Sequence, residues 1–332
     1  MRTVIVGSGS WGTALAQVLC DNHEDVILYG KSEKEVNDIN EHHKNQKFFQ
    51  QIIISPDLKA TTDLSVVEEA DIVVLAVPTI AIEGICRQID PMLKKNVIIV
   101  NVSKGFHPTT NERMSEVIRR TISPENISSV VSLIGPSHAE EVIIRQLTSI
   151  DAISLKHEDA VIIQQMFSND YLRIYTGEDE IGSELGAAIK NVMAIASGVL
   201  SGLGYQDNTR AALITRGLQE MIRYGVAFGA HAKTFNGLTG IGDLIVTCTS
   251  VHSRNFQCGF QIGTENSVEG FWANNTKTVE GVRTAKIVHK VAKEKNISMP
   301  ICEEVYQILY HNKEPRECAY DLMLRDLKDE FE

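Results

Sequence analysis

The chain has 332 residues, 43% hydrophobic and 23% charged, a balance that suits two globular domains of ordinary size and argues against disorder. A formal net charge of -11 repels nucleic acid and anionic membranes, so neither is expected as a partner. It also repels any anionic metabolite at long range, so such a ligand must meet a local cluster of lysines, arginines and helix N-termini.

In chain order, the first apolar run is 3–7, a strand pattern that starts too early to leave room for a signal peptide. Gly7-Ser8-Gly9-Ser10-Trp11-Gly12 follows it directly and opens a helical pattern at 12–20. A second strand is expected at 26–30, and the helix 32–40 comes next. Glycines placed so, between strand and helix, form a dinucleotide site. Gly7 allows the tight turn, Gly9 lets pyrophosphate approach the backbone, and Gly12 lets helix and strand pack closely. Lys31 stands 19 positions past Gly12, where an acidic residue would accept from a ribose 2′-hydroxyl. A lysine followed by Ser32 favours NADP(H), while Glu33 keeps NAD(H) open.

Further strands are expected at 71–78, 97–103, 130–135 and 152–155, with helices at 80–89 and 111–120 between them. Runs such as Ile72-Val73-Val74-Leu75-Ala76-Val77 are near-continuous, as in parallel strands buried on both faces. The alternation predicts an α/β fold, a doubly wound Rossmann-type parallel sheet. Lys104 and the segment Gly135-Pro136-Ser137-His138-Ala139 end two of these strands, where ligands bind in such sheets.

After a last strand-like run at 172–175 the pattern turns wholly helical: 180–201, 209–228, 239–249, 254–263, 278–295 and 302–311. The boundary is drawn at 178, giving a dinucleotide-binding domain 1–178 and a helical substrate domain 179–332. Residues 263–275 are polar and glycine-bearing and read as a mobile loop. No apolar run is read as approaching the roughly 20 residues of a membrane span. Six cysteines form no C-x-x-C pair and no zinc-like cluster, which predicts reduced thiols, a cytoplasmic location and no metal.

Three helical-half segments carry chemistry. Lys190 lies off the core stripe Ile181, Leu185, Ile189, Val192, Ala196, Val199, yet its helical neighbours Gly186, Ala187, Ala194 and Ser197 are small and uncharged. That second face must also be covered, and a lysine on a covered face needs a partner. Asp243, among apolar residues, needs a partner too, unless it only caps a helix. Ser253 is a good N-cap, which puts Arg254 and Asn255 at a helix N-terminus, a ready anion site.

With these residues assembled, the chain resembles bacterial NAD(P)-dependent glycerol-3-phosphate dehydrogenase nearly end to end. The resemblance is carried by the glycine turn with its Trp11, Ser103-Lys104-Gly105, the segment from Gly135 to Glu141, Lys190-Asn191-Val192, Arg210 to Gly217, Gly240-Ile241-Gly242-Asp243-Leu244, Ser253-Arg254-Asn255 and Val279-Glu280-Gly281. It implies reversible reduction of dihydroxyacetone phosphate to sn-glycerol 3-phosphate, with Lys190 as proton donor and acceptor. It also implies that Lys104, Gly135, Ser137, Lys190, Asp243, Ser253, Arg254 and Asn255 line the substrate. Ser10, Trp11, Lys31, Lys104, Ala139, Arg254 and Glu280 would touch NADP or NAD. Phe256-Gln257-Cys258 departs from the family, which usually carries more arginine there. Two other readings stay open: a related dehydrogenase of another hydroxy acid or ketone, and an NADP-sensing protein without turnover. A homodimer is expected from size alone.

Overall fold

The computed structural model describes residues 1–275, 279–327, 329 and 330. Two compact units divide the chain, Met1–Glu184 and Leu185–Glu332.

The first unit alternates as its apolar runs require: β1 (Arg2–Val6), α1 (Ser10–Asp21), β2 (Asp25–Tyr29), α2 (Glu33–His42), α3 (Gln46–Phe49), β3 (Lys59–Thr61), β4 (Ile72–Leu75), α4 (Thr79–Ile89), β5 (Val97–Asn101), α5 (Met114–Thr121), β6 (Ile127–Ile134), α6 (Ala139–Val142), β7 (Thr148–Ile153), α7 (His157–Phe167) and β8 (Leu172–Gly177). The strands form one sheet in the order β3-β2-β1-β4-β5-β6-β7-β8. Alternate residues feed two cores. Ile5, Leu28, Ile72 and Val74 pack with the α1 and α7 side, whereas Val4, Val6, Val73 and Leu75 pack with α4 and α5. Each such buried side chain contributes about 1.5–3 kcal/mol, so both faces must be covered.

The sheet departs from the wholly parallel expectation at one place: β7 runs antiparallel to β6, then pairs parallel with β8. The connection from β6 to β7 carries only the four-residue α6, too short a helix to run the chain back along the sheet for a parallel crossover. β7 also begins earlier than the expected run 152–155. The helix expected from 111 starts at Met114, because Asn111 takes a left-handed φ of 62° that no helix continues.

In the second unit the helices are α8 (Glu180–Gly202, whose first residues still belong to the first unit), α9 (Asp207–Ala227), α10 (Asp243–Thr249), α11 (Arg254–Glu265), α12 (Glu269–Asn274), α13 (Glu280–Lys295), α14 (Pro300–His311) and α15 (Pro315–Met323). The expected mobile loop at 263–275 is instead the end of α11 and all of α12. Burial decides this: Phe271 is enclosed, and the Trp272 indole donates to the Leu309 carbonyl at 3.0 Å. Thr278, the expected start of the next helix, lies outside the described residues, and α13 begins at Glu280. The expectation about membrane spans is also corrected. At 23 residues α8 is long and apolar enough to cross a membrane, and most of its apolar stretch is buried within the fold. A helix that is apolar all round is what a core position demands.

α8 and α11 cross with almost no side chains between them. A Cβ added at Gly198 would lie 2.1 Å from the Phe256 carbonyl oxygen, and one at Gly202 2.3 Å from that of Phe260. From the other side, a Cβ at Gly259 would lie 2.0 Å from the Ile195 oxygen and one at Gly263 2.1 Å from that of Val199. Two helices with glycine every fourth residue can approach to backbone contact.

Candidate active site

In the first unit, the glycine turn has the form its sequence predicts. Gly7 has φ 126°, and a Cβ there would meet the Ala76 oxygen at 2.3 Å. A Cβ at Gly12 would meet the Gly7 oxygen at 1.9 Å, so this glycine lets α1 sit against the turn. At Gly9 an added Cβ meets nothing within 4 Å, leaving the backbone open to close approach. No side chain caps α1, so its first-turn N–H groups and dipole face that opening, with Ser10 and Trp11 in the same turn. This cradle fits a pyrophosphate. Asn45, which sequence reasoning missed, shapes it: its buried carboxamide donates to the Ser8 carbonyl and to Thr13 Oγ1, both at 2.9 Å. Lys31 is exposed just past β2.

Beyond β5 and β6, three expected residues come together. Lys104 Nζ donates to the Gly135 carbonyl at 2.7 Å, and Ser137 Oγ donates to the same oxygen at 3.0 Å. Gly135 has φ 154° and lies so close to β7 that a Cβ would fall 2.8 Å from Ile150 Cα. Ala139 follows as the first residue of α6.

In the second unit, Lys190 sits on α8 with 5% of its surface exposed. Its ammonium donates to Asp243 Oδ1 at 2.6 Å and to Thr247 Oγ1 at 2.8 Å. Its face is covered as the small neighbours predict: a Cβ at Gly186 would meet the Thr239 oxygen at 2.7 Å, and Ser197 Oγ donates to the Cys248 carbonyl at 2.7 Å. Asp243, 1% exposed, opens α10, and its carboxylate accepts from the lysine. The single helix expected at 239–249 is a widened turn, Leu238–Gly242, followed by α10. Gly242 N donates five residues back to the Gly237 carbonyl, and widened turns of this kind recur at functional sites. Thr247 was missed in sequence, although it lies four residues past Asp243 and so on the same helix face.

Ser253 caps α11 by accepting from Phe256 N at 3.2 Å, which leaves Arg254, exposed, and Asn255 in the first turn. Asn255 ties three elements together. Its Nδ2 donates to Asn191 Oδ1 at 2.9 Å, and its Oδ1 accepts from Gly281 N at 2.9 Å. Asn191 and Gly281 are thus site residues that the spacing alone does not single out. Glu280 opens α13 beside Gly281. The expected residues therefore form two groups, one in each unit.

A family model described as the NAD-dependent glycerol-3-phosphate dehydrogenase N-terminus matches residues 2–160, and one described as its C-terminus matches 179–320. Glycerol-3-phosphate dehydrogenase [NAD(P)+] of Listeria monocytogenes is 48% identical, across 100% of this chain and 98% of the relative. The protein of that name from Enterococcus faecalis is 44% identical over the same shares. The crystal structure of glycerol-3-phosphate dehydrogenase from Coxiella burnetii is similar with a TM-score of 0.89 at 30% identity, covering 98% of this chain and 99% of that one. The glycine cradle and the buried Lys190–Asp243 pair thus lie in a chain that belongs to the NAD-dependent glycerol-3-phosphate dehydrogenase family.

Proposed function

We propose that the chain catalyses the reversible NAD(P)H-dependent reduction of dihydroxyacetone phosphate to sn-glycerol 3-phosphate, the backbone of phospholipids. The observation that carries this reading is the Lys190 ammonium, buried and aimed by Asp243 and Thr247. A bound dinucleotide supplies the hydride. Lys190 stabilises charge at the ketone oxygen and delivers a proton to it. Asp243 and Thr247 hold the ammonium in one direction, so little reorganisation is needed when charge develops. Arg254 and the first-turn N–H groups of α11 grip the phosphate, and Asn255 fixes that turn to α8 through Asn191. Binding energy far from the carbonyl thereby orients it. Lys104, Gly135 and Ser137 line the substrate from the sheet, and Lys31, Ala139 and Glu280 contact the cofactor.

We assign these roles to a dinucleotide-binding domain 1–178 and a helical substrate domain 179–332. We also infer a cytoplasmic homodimer, from the chain's size and its unpaired thiols. A light-scattering mass of one protomer would exclude the dimer.

Absorbance at 340 nm tests the reaction. It is expected to fall when NADH or NADPH meets dihydroxyacetone phosphate and to stay constant with unphosphorylated ketones. Turnover of the unphosphorylated ketone would point to another dehydrogenase, and binding without turnover to a sensor. Arg254→Ala is expected to raise KM for dihydroxyacetone phosphate by about ten- to a hundredfold with a smaller change in kcat. An unchanged KM would remove Arg254 from the phosphate site.

A further inference from the structure

We propose that Glu35 makes this chain prefer the dinucleotide without a 2′-phosphate, its carboxylate accepting from the adenosine ribose 2′-hydroxyl. The proposal rests on the dinucleotide site assigned to the glycine turn.

Ser8 is the residue between Gly7 and Gly9. Its buried hydroxyl donates to Glu35 Oε2 at 2.9 Å. The same hydroxyl lies against Gly30, where an added Cβ would come within 2.5 Å of it. The carboxylate is therefore anchored where the turn meets the end of β2. In this fold the adenosine ribose sits there, and an acidic group reads its 2′-hydroxyl. From the other side, Lys47 Nζ donates to Glu35 Oε1 at 2.6 Å, from α3. The Glu35 side chain is 14% exposed, so its charge is poorly screened by water.

Three charges decide the outcome. Lys31 alone favours a 2′-phosphate. Glu35 stands against it, and it also engages Lys47, a second cation that would have answered the phosphate. A phosphate of nearly two negative charges would meet a fixed carboxylate, whereas a hydroxyl would find an acceptor. The spacing rule looks for the acid near position 31, and the helical turn of α2 supplies it four residues later.

Steady-state kcat/KM for NADH and for NADPH, with dihydroxyacetone phosphate and the full-length protein, tests this. The wild type is expected to favour NADH. Glu35→Gln is expected to move the NADH/NADPH ratio about tenfold toward NADPH, because the carboxylate is lost and Lys47 is released. Lys47→Ala is expected to move it the other way, because Glu35 then stands unneutralised. A wild type that favours NADPH overturns the proposal. So does either folded variant whose ratio stays within about twofold of wild type or shifts in the opposite sense. Should Glu35→Gln fail to fold, the mostly exposed Lys47 gives the deciding variant. If no ketone is reduced at all, the proposed reaction fails instead. Fluorescence titration with NADH and NADPH then reads the same preference without turnover.

Discussion

Lys190→Ala is expected to lower kcat by about 10²–10⁴-fold, the usual worth of a positioned proton donor, while dinucleotide binding persists. Among the described residues of the second unit, the lysine has the geometry for proton delivery at a ketone oxygen, being held by both Asp243 and Thr247. Removing it also leaves Asp243 buried without its cation, and breaking such a pair costs about 3–5 kcal/mol of stability. Lost activity and lost stability must therefore be separated. The Lys190→Ala/Asp243→Ala double variant lacks both buried charges, so it is expected to regain part of the stability and none of the turnover. Denaturant unfolding reads the first, single-turnover absorbance the second, and NADH fluorescence the binding. Near-full turnover in either variant would take proton transfer away from Lys190.

The second large effect concerns the α8–α11 crossing. Gly259→Val is expected to destabilise the protein by about 4 kcal/mol or more, in the range that marks a named structural fault. The added atoms would land on the Ile195 carbonyl, 2.0 Å away at Cβ alone, and backbone cannot swing aside as a flexible side chain does. The helices must part. Asn255, one turn before Gly259 on α11, would then lose Asn191, and surviving protein is expected to show a raised KM. Urea unfolding and substrate kinetics measure the two consequences. A loss below about 1 kcal/mol would mean that the crossing is looser than these distances state.

Much of the fold is legible because strands buried on both faces admit little but Val, Ile and Leu; β4 and β5 could hardly read otherwise. β3 is three residues at the sheet edge with one buried side chain, which leaves no periodic signal. α12 hides for the opposite reason. Its local sequence favours a loop, and contacts made by Phe271 and Trp272 override that preference. The direction of β7 depends on the short helix that joins it to β6, not on its own residues.

At the site, Lys190 was readable because its small neighbours imply a covered face and a charge there implies a partner. Asp243 was readable as a charge among apolar residues, and the choice between cap and partner needed coordinates. Glu35 and Asn45 were not readable. Each reaches a residue of the glycine turn 27 or more positions away, and nothing local marks either as more than a polar residue near a helix end.

Asn45 carries a consequence for how this chain comes into being. A growing polypeptide that has emerged only as far as β2 already holds every glycine of the turn, but lacks the amide that fastens Ser8 and Thr13. Nascent chains of that length are expected to grip a dinucleotide weakly, and tight capture to wait until both the segment leading into α3 and β4, which pairs with β1, have cleared the ribosome and docked.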